Sequence, residues 1–331
     1  MTKARVVSDS NVVTFKNHII NANFDIWQRG PGPFASTTTG QYVADRFNVF
    51  RGTTGGYSCS RVAFTPGNEI SGYESEYFLR LNVSVAGDLG IRQAIEDVRT
   101  FAGQKITVSF WAKASVSMVL DQTFALQVFG TGGSAQVATA GVPVDSSNSS
   151  TVTTSWKRFS VTLNVPSISG KTIGTNSSLQ IRIDVNNTFL GDFDIWGIQA
   201  EEGSIATPLE QRPPGFELAL CQRYYQRINQ VDYESLFAIG LQTSTTAATF
   251  VLHLPVQLRT IPSSVIFSNV KVGDQTAWSL AATLSSFGRS TVSALSLLTT
   301  FTTQGASLRP IFLQGTGTAP FTSYIEVSAE L

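Results

Sequence analysis

Apolar residues recur at every second position along much of this chain. Ile106, Val108, Phe110 and Ala112 share one side of a segment, and Thr107, Ser109, Trp111 and Lys113 share the other. Leu79, Leu81, Val83 and Val85 alternate with Arg80, Asn82 and Ser84. Val161, Leu163 and Val165 alternate with Ser160, Thr162 and Asn164, and Ile181, Ile183 and Val185 with Gln180, Arg182 and Asp184. A period of two belongs to a strand with one buried face and one wetter face. Many such strands between Gly/Ser/Asn loops predict a jelly-roll β-sandwich over residues 19–212. The loops at 130–134 and 145–151 are poor in apolar residues and belong at a surface.

Pro213-Pro214-Gly215 ends that pattern, because proline cannot donate to a ladder. Phe216, Leu220 and Tyr224 then recur at a spacing of four, which predicts a helix over 216–227 inside a connector at 213–230. Residues 231–331 return to alternation, as in Phe250, Leu252 and Leu254, with further strands at 265–267, 308–313 and 324–327. The expected architecture is therefore all-β: a jelly-roll β-sandwich, a short helical connector and a second, smaller β-sandwich. Residues 1–18 are polar and read as an arm or as a frayed terminus.

Charge narrows the function. The 23 basic and 23 acidic residues of the 331 cancel, and only 14% of the chain is charged. That argues against a nucleic-acid footprint and against attraction to an anionic membrane. It suits protein contacts or neutral sugars. No apolar run approaches the roughly 18 residues of a membrane helix, and the first residues lack the apolar core of a signal peptide. The expectation is a protein made in a cytoplasm, soluble until assembled, with no membrane insertion. Cys59 and Cys221 form no CxxC pair and no metal spacing. Two free buried thiols are expected in preference to a disulfide.

The chemistry of catalysis is thinly represented. His18 and His253 belong to no HExxH motif or triad, and no GxSxG or P-loop occurs. Glu201 and Glu202 are adjacent and so point to opposite faces of a strand. Asp192 and Asp194 share a face, but nothing beside them marks a leaving-group acid. No catalytic residue, cofactor or metal is assigned. Sugar recognition fits better, since it combines an aromatic platform with polar forks. Trp111 and Trp196 fall opposite the apolar rows, as do Arg80 and Arg182, so these four are the candidate carbohydrate-binding residues. Against this stands the common use of tryptophan as packing under loops or at subunit interfaces. Trp27 and Trp156 read as core or corner residues.

The segment Asp192–Pro214, followed by the helical stretch to Arg227, resembles a module of tailed-bacteriophage virion proteins, chiefly tail fibres. Asn21–Gly30 resembles the opening strand of that module, and Ser323–Leu331 its usual ending. The segments 110–114, 155–159 and 192–203 resemble a carbohydrate-binding-module jelly roll. The resemblance implies a non-enzymatic virion protein, a tail-fibre or receptor-binding component adhering to a host cell-surface glycan. It implies a homotrimer, contacts with other virion proteins through residues 1–18, and residence in the virion. A head fibre or capsid decoration protein is the structural alternative, and a polysaccharide-degrading enzyme a third. Such jelly rolls often carry a structural calcium between first and last strands, where Asp25 and Asp194 lie; two carboxylates fall short of calcium's six to eight oxygens.

Overall fold

The computed structural model describes residues 15–36, 39–67, 69–141, 151–232, 235–262, 264–274, 277–286, 290–302, 309–316 and 322–331. Most of the expected arm, residues 1–14, and most of the 145–151 loop lie outside the described residues. Two compact units are present; the larger holds Pro31–Arg212 and the smaller Pro213–Glu330. The fold is all-β, with one α-helix among the described residues.

The larger unit is a jelly-roll sandwich of two six-stranded antiparallel sheets. The front sheet runs Phe34–Ser36, Gly56–Ala63, Tyr77–Val85, Gly191–Glu202, Lys105–Ala114, Lys157–Asn164. The back sheet runs Val137–Ala138, Thr123–Val128, Ser178–Val185, Leu89–Glu96, Phe47–Arg51, Gln41–Tyr42. The alternating rows face each other to make the core: Ile106, Val108, Phe110, Leu79, Leu81, Ile181 and Ile183 are all buried. Burying each such side chain contributes about 1.5–3 kcal/mol. His18 N–H donates to Ala200 O (3.0 Å), and Asn17 bridges Ile198 O and Ala200 N–H (both 3.1 Å), so this piece lies along the strand Gly191–Glu202.

The helix is shorter than its spacing predicts. It spans Pro214–Gln222, and Tyr225–Asn229 is a strand paired with Tyr324–Ser328. The Tyr225–Asn229 backbone gains a full ladder partner there, whereas a longer helix would leave its last carbonyls to solvent. The β region beyond it is a closed barrel, where a second sandwich was expected. Its order is Leu236–Ser244, Ala247–His253, Ala294–Phe301, Trp278–Ser286, Val270–Gly273, Pro310–Gly315, and the last strand pairs back on the first. Alternation is the same in both architectures. Closure depends on which strands pair, and it removes the exposed edges an open sheet would leave. A three-stranded sheet, Tyr225–Asn229, Tyr324–Ser328, Val265–Ser268, completes this unit.

Candidate functional site

The sandwich has two outer faces, and the four predicted residues divide between them. Trp111, Trp196 and Arg80 stand on the front sheet, and Arg182 on the back sheet. They do not line one groove.

On the front sheet Trp196 lies directly opposite Trp111 across the pair of strands. Alternation places both on the side away from the Phe193–Ile195 core, as expected. That side is not wet. Trp196 is fully buried and Trp111 is 8% exposed. Trp196 packs edge-on to Trp111 (5.4 Å), Tyr73 (5.5 Å) and Phe64 (6.0 Å), and its Nε1 donates to Ser75 Oγ (2.9 Å). Trp111 lies under Tyr73 (5.3 Å) and beneath the Arg158 guanidinium (4.6 Å). Phe64, Tyr73 and residues 203–212 lie over this part of the sheet, and Leu209 N–H donates to the Tyr73 hydroxyl (3.0 Å). Glu69 anchors this cover. Burial alone would raise its carboxyl, but N–H donors on Thr65 and Trp156 and the Lys113 ammonium bring it down to about 2. A bulge at Gly197 makes room for the pair: its φ is +65°, and a Cβ there would sit 2.8 Å from the Trp111 ring. The tryptophans are a second layer of core, and the platform reading is corrected on that ground.

Arg80 is likewise committed. Its Nε and Nη2 donate to the two oxygens of Asp194 (2.7 and 2.8 Å), and Nη1 lies 3.3 Å from Asp192. Burial still raises Asp194 above the ordinary carboxylate range, against the pull of Arg80. With both oxygens held by one guanidinium, Asp194 does not present itself to calcium. No group of three or more His, Cys, Asp or Glu able to hold a metal occurs among the described residues. Glu201 is buried and accepts from Gln199 and Thr207, consistent with a structural role. The two cysteines are buried thiols with no disulfide between them, as expected, and burial pushes the Cys59 thiol up.

The back sheet offers a different surface. Pairing registers align Tyr42 with Asn48, Asn48 with Arg92, Arg92 with Arg182, and Arg182 with Phe124. These five residues form one straight row across five strands, on the side away from Ile181 and Ile183. At about 4.8 Å between strands the row is roughly 19 Å long. An aromatic ring stands at each end, with two guanidinium forks and an amide between them. Tyr42, Arg92, Arg182 and Phe124 are part-exposed, and Asn48 is buried. Arg182 Nε donates to Asp184 (2.5 Å) and Nη2 to Asp88 (2.7 Å); its Cζ lies 3.3 Å from the Phe50 centroid and 5.0 Å from that of Phe124. Arg92 Nε donates to Asn48 Oδ1 (2.5 Å). Burial and the neighbouring Arg182 lower Arg92, while Tyr42 acts the other way. Burial raises Asp184 to about 6, opposed by Arg182 and reinforced by Asp88 and Asp121. Gly90 is required beneath this network, because a Cβ there would meet Asp184 Oδ1 at 2.3 Å.

Sequence reasoning placed Arg182 on this face but missed Tyr42, Asn48, Arg92 and Phe124. The alternation of Thr123–Val128 could have put Phe124 outward. The row itself depends on register, which a single strand's pattern does not contain.

No protein-family model matches the chain, and no curated protein matches its sequence. Solved structures resemble parts of it. One is the enzymatically active domain of tailspike protein 4 of bacteriophage CBA120, at 14% identity over 56% of this chain, with a TM-score of 0.32. This chain spans only 21% of that domain's length. Another is a family 11 carbohydrate-binding module from Clostridium thermocellum in complex with a β-1,3-1,4-mixed-linked tetrasaccharide, at 12% identity, 49% of this chain, 91% of that one and a TM-score of 0.31. A third is the arabinose-bound α-L-arabinofuranosidase MgGH51, at 10% identity, 65% of this chain, 31% of that one and a TM-score of 0.34. Scores this low leave the ligands and activities of those proteins with those proteins.

Proposed function

We propose that this chain is a non-enzymatic component of a tailed-bacteriophage virion, of the tail-fibre or receptor-binding kind, that adheres to host-surface glycans through the back-sheet row. The observation that carries the glycan reading is the row itself. Sugars present flat apolar faces edged with hydroxyls. Tyr42 and Phe124 supply ring surface along a line several sugar rings long, the part-exposed Arg92, held by buried Asn48, supplies N–H donors, and Arg182, fixed by Asp184 and Asp88, holds the middle of the row. Sheet strands hold these groups in fixed positions, so little ordering cost falls on binding. The virion reading is supported by the resemblance of 192–214, 21–30 and 323–331 to appendage proteins. With it go a homotrimer, docking onto other virion proteins, and synthesis in the host cytoplasm. The carboxylates that could pair for glycoside hydrolysis serve other purposes: Asp192 and Asp194 hold Arg80, and Glu201 is tied to Thr207.

Single sugar sites bind weakly, and several copies on one particle raise avidity through effective concentration. Immobilised chain should therefore capture polysaccharide extracted from the host surface, and soluble chain should compete with particles for host cells. Incubation with that polysaccharide should release no new reducing ends. Capture of no host polysaccharide would refute the adhesive role, and new reducing ends would refute the non-enzymatic one.

A further inference from the structure

The barrel turns several large apolar side chains outward, among uncharged Thr and Ser, where alternation ordinarily leaves polar ones. On the strand Leu236–Ser244, Ala238 and Gln242 point inward, while Ile239 is 57% exposed and Leu241 44%. On Ala247–His253, Phe250 and Leu252 point inward, and Val251 is 53% exposed. The registers extend this into rows: Leu241 stands beside Thr249 and Pro310, Thr249 beside Leu298, and Ile239 beside Phe312. An open depression of about 550 Å³ lies along Ile239, Leu241, Val251 and Ser296, and none of its lining residues is charged.

The absence of charge is written into the sequence. No Asp, Glu, Lys or Arg occurs between Glu234 and Arg259, or between Arg289 and Arg309. In the same unit, the three-stranded sheet carries Arg227–Glu326 at 3.0 Å. The contrast sets the barrel wall apart as a surface without Asp, Glu, Lys or Arg, with the exposed His253 at its end. Exposed apolar patches of this kind mark association surfaces.

We infer that copies of this chain associate through this wall, formed by Leu236–Ser244, Ala247–His253 and Ala294–Phe301. A charged partner would lose its hydration against the wall and find nothing to pair with. A second copy brings the same uncharged rows, and Ile239, Leu241 and Val251 gain by leaving water together. The chain's 23 basic and 23 acidic residues leave no net charge to hold copies apart. Across a twofold axis each wall meets its own counterpart, and around a threefold one side of each wall meets the other side of the next copy's. Only the trimeric stoichiometry rests on the proposed function; the wall rests on its own residues.

Sedimentation velocity on the full chain tests this. The wild type should run as an oligomer, and the double variant Ile239→Lys/Val251→Lys as a monomer with unchanged far-UV and near-UV circular dichroism. Both side chains are more than half exposed, so lysine is tolerated in a monomer. Should that pair unfold the chain, Ile239→Thr/Val251→Thr keeps β-branching and removes the apolar contact. It should raise the dissociation constant at least tenfold. A wild-type monomer at the highest concentration reached would overturn the inference. So would a folded variant that assembles as the wild type does. A wild-type dimer abolished by the lysines would sustain the wall and remove the trimer. Glycan binding by the monomeric variant would leave the back-sheet row standing by itself.

Discussion

The two outer faces of the sandwich begin from the same sequence pattern and end differently. Each carries aromatic rings and arginines opposite a row of aliphatic residues. On the front sheet other segments cover the rings, so that Trp111 and Trp196 interlock with Tyr73 and Phe64. On the back sheet Phe124 and Tyr42 stay part-exposed at the ends of a row of polar forks. Alternation thus reports which side of a sheet a residue occupies. Whether that side meets water is decided by loops that pass over it.

The contrast can be broken most forcefully at Trp196. Trp196→Ala should destabilise the larger unit by about 3–5 kcal/mol, the usual cost of removing a large core aromatic. A small change in thermal midpoint would mean the cover is loose and the front face accessible. Next in size is the bulge. Gly197→Ala meets both a left-handed φ of +65° and the Trp111 ring. It should cost about 2–3 kcal/mol in denaturant titration.

A smaller effect sharpens the back face. Burial raises Asp184 from 3.8 to about 6. A raised carboxyl favours folding in its protonated form. Its contribution therefore grows as pH falls from about 6 towards 4 and is lost as pH rises through 6. Asp184→Asn should flatten the stability–pH curve across that window, by on the order of 3 kcal/mol at most. An unaltered curve would show that Asp184 is better hydrated than its place beside Arg182 implies. The smallest effect on stability belongs to Phe124→Ala, about 1 kcal/mol, because the ring is already part-exposed.

The inner rows were legible but for one end: Ile106, Val108, Phe110, Leu79 and Leu81 are buried where period two placed them, while Val85 is 57% exposed. The fate of Trp196 was not, because it turns on Tyr73 and Phe64, far away in sequence and carried by a segment without regular pattern. Tyr224 and Tyr225 looked helical by spacing, yet the ladder with Tyr324–Ser328 outweighs a further helical turn. Closure of the barrel was hidden for a related reason. The pairing of Leu236–Ser244 with Pro310–Gly315 joins segments far apart in sequence, which no local pattern records.

The central claim is that the back-sheet row, and not the front tryptophans, meets the glycan. Titration calorimetry with host-surface polysaccharide on Phe124→Ala and Trp111→Ala, with a melting curve for each, tests it directly. Phe124→Ala should lose about tenfold in affinity, the worth of a stacked ring of up to about 1.5 kcal/mol, with little change in melting temperature. Trp111→Ala should melt much earlier but, while still folded, bind as the wild type does. Wild-type affinity in Phe124→Ala, alongside lost binding in a well-folded Trp111→Ala, would contradict the account.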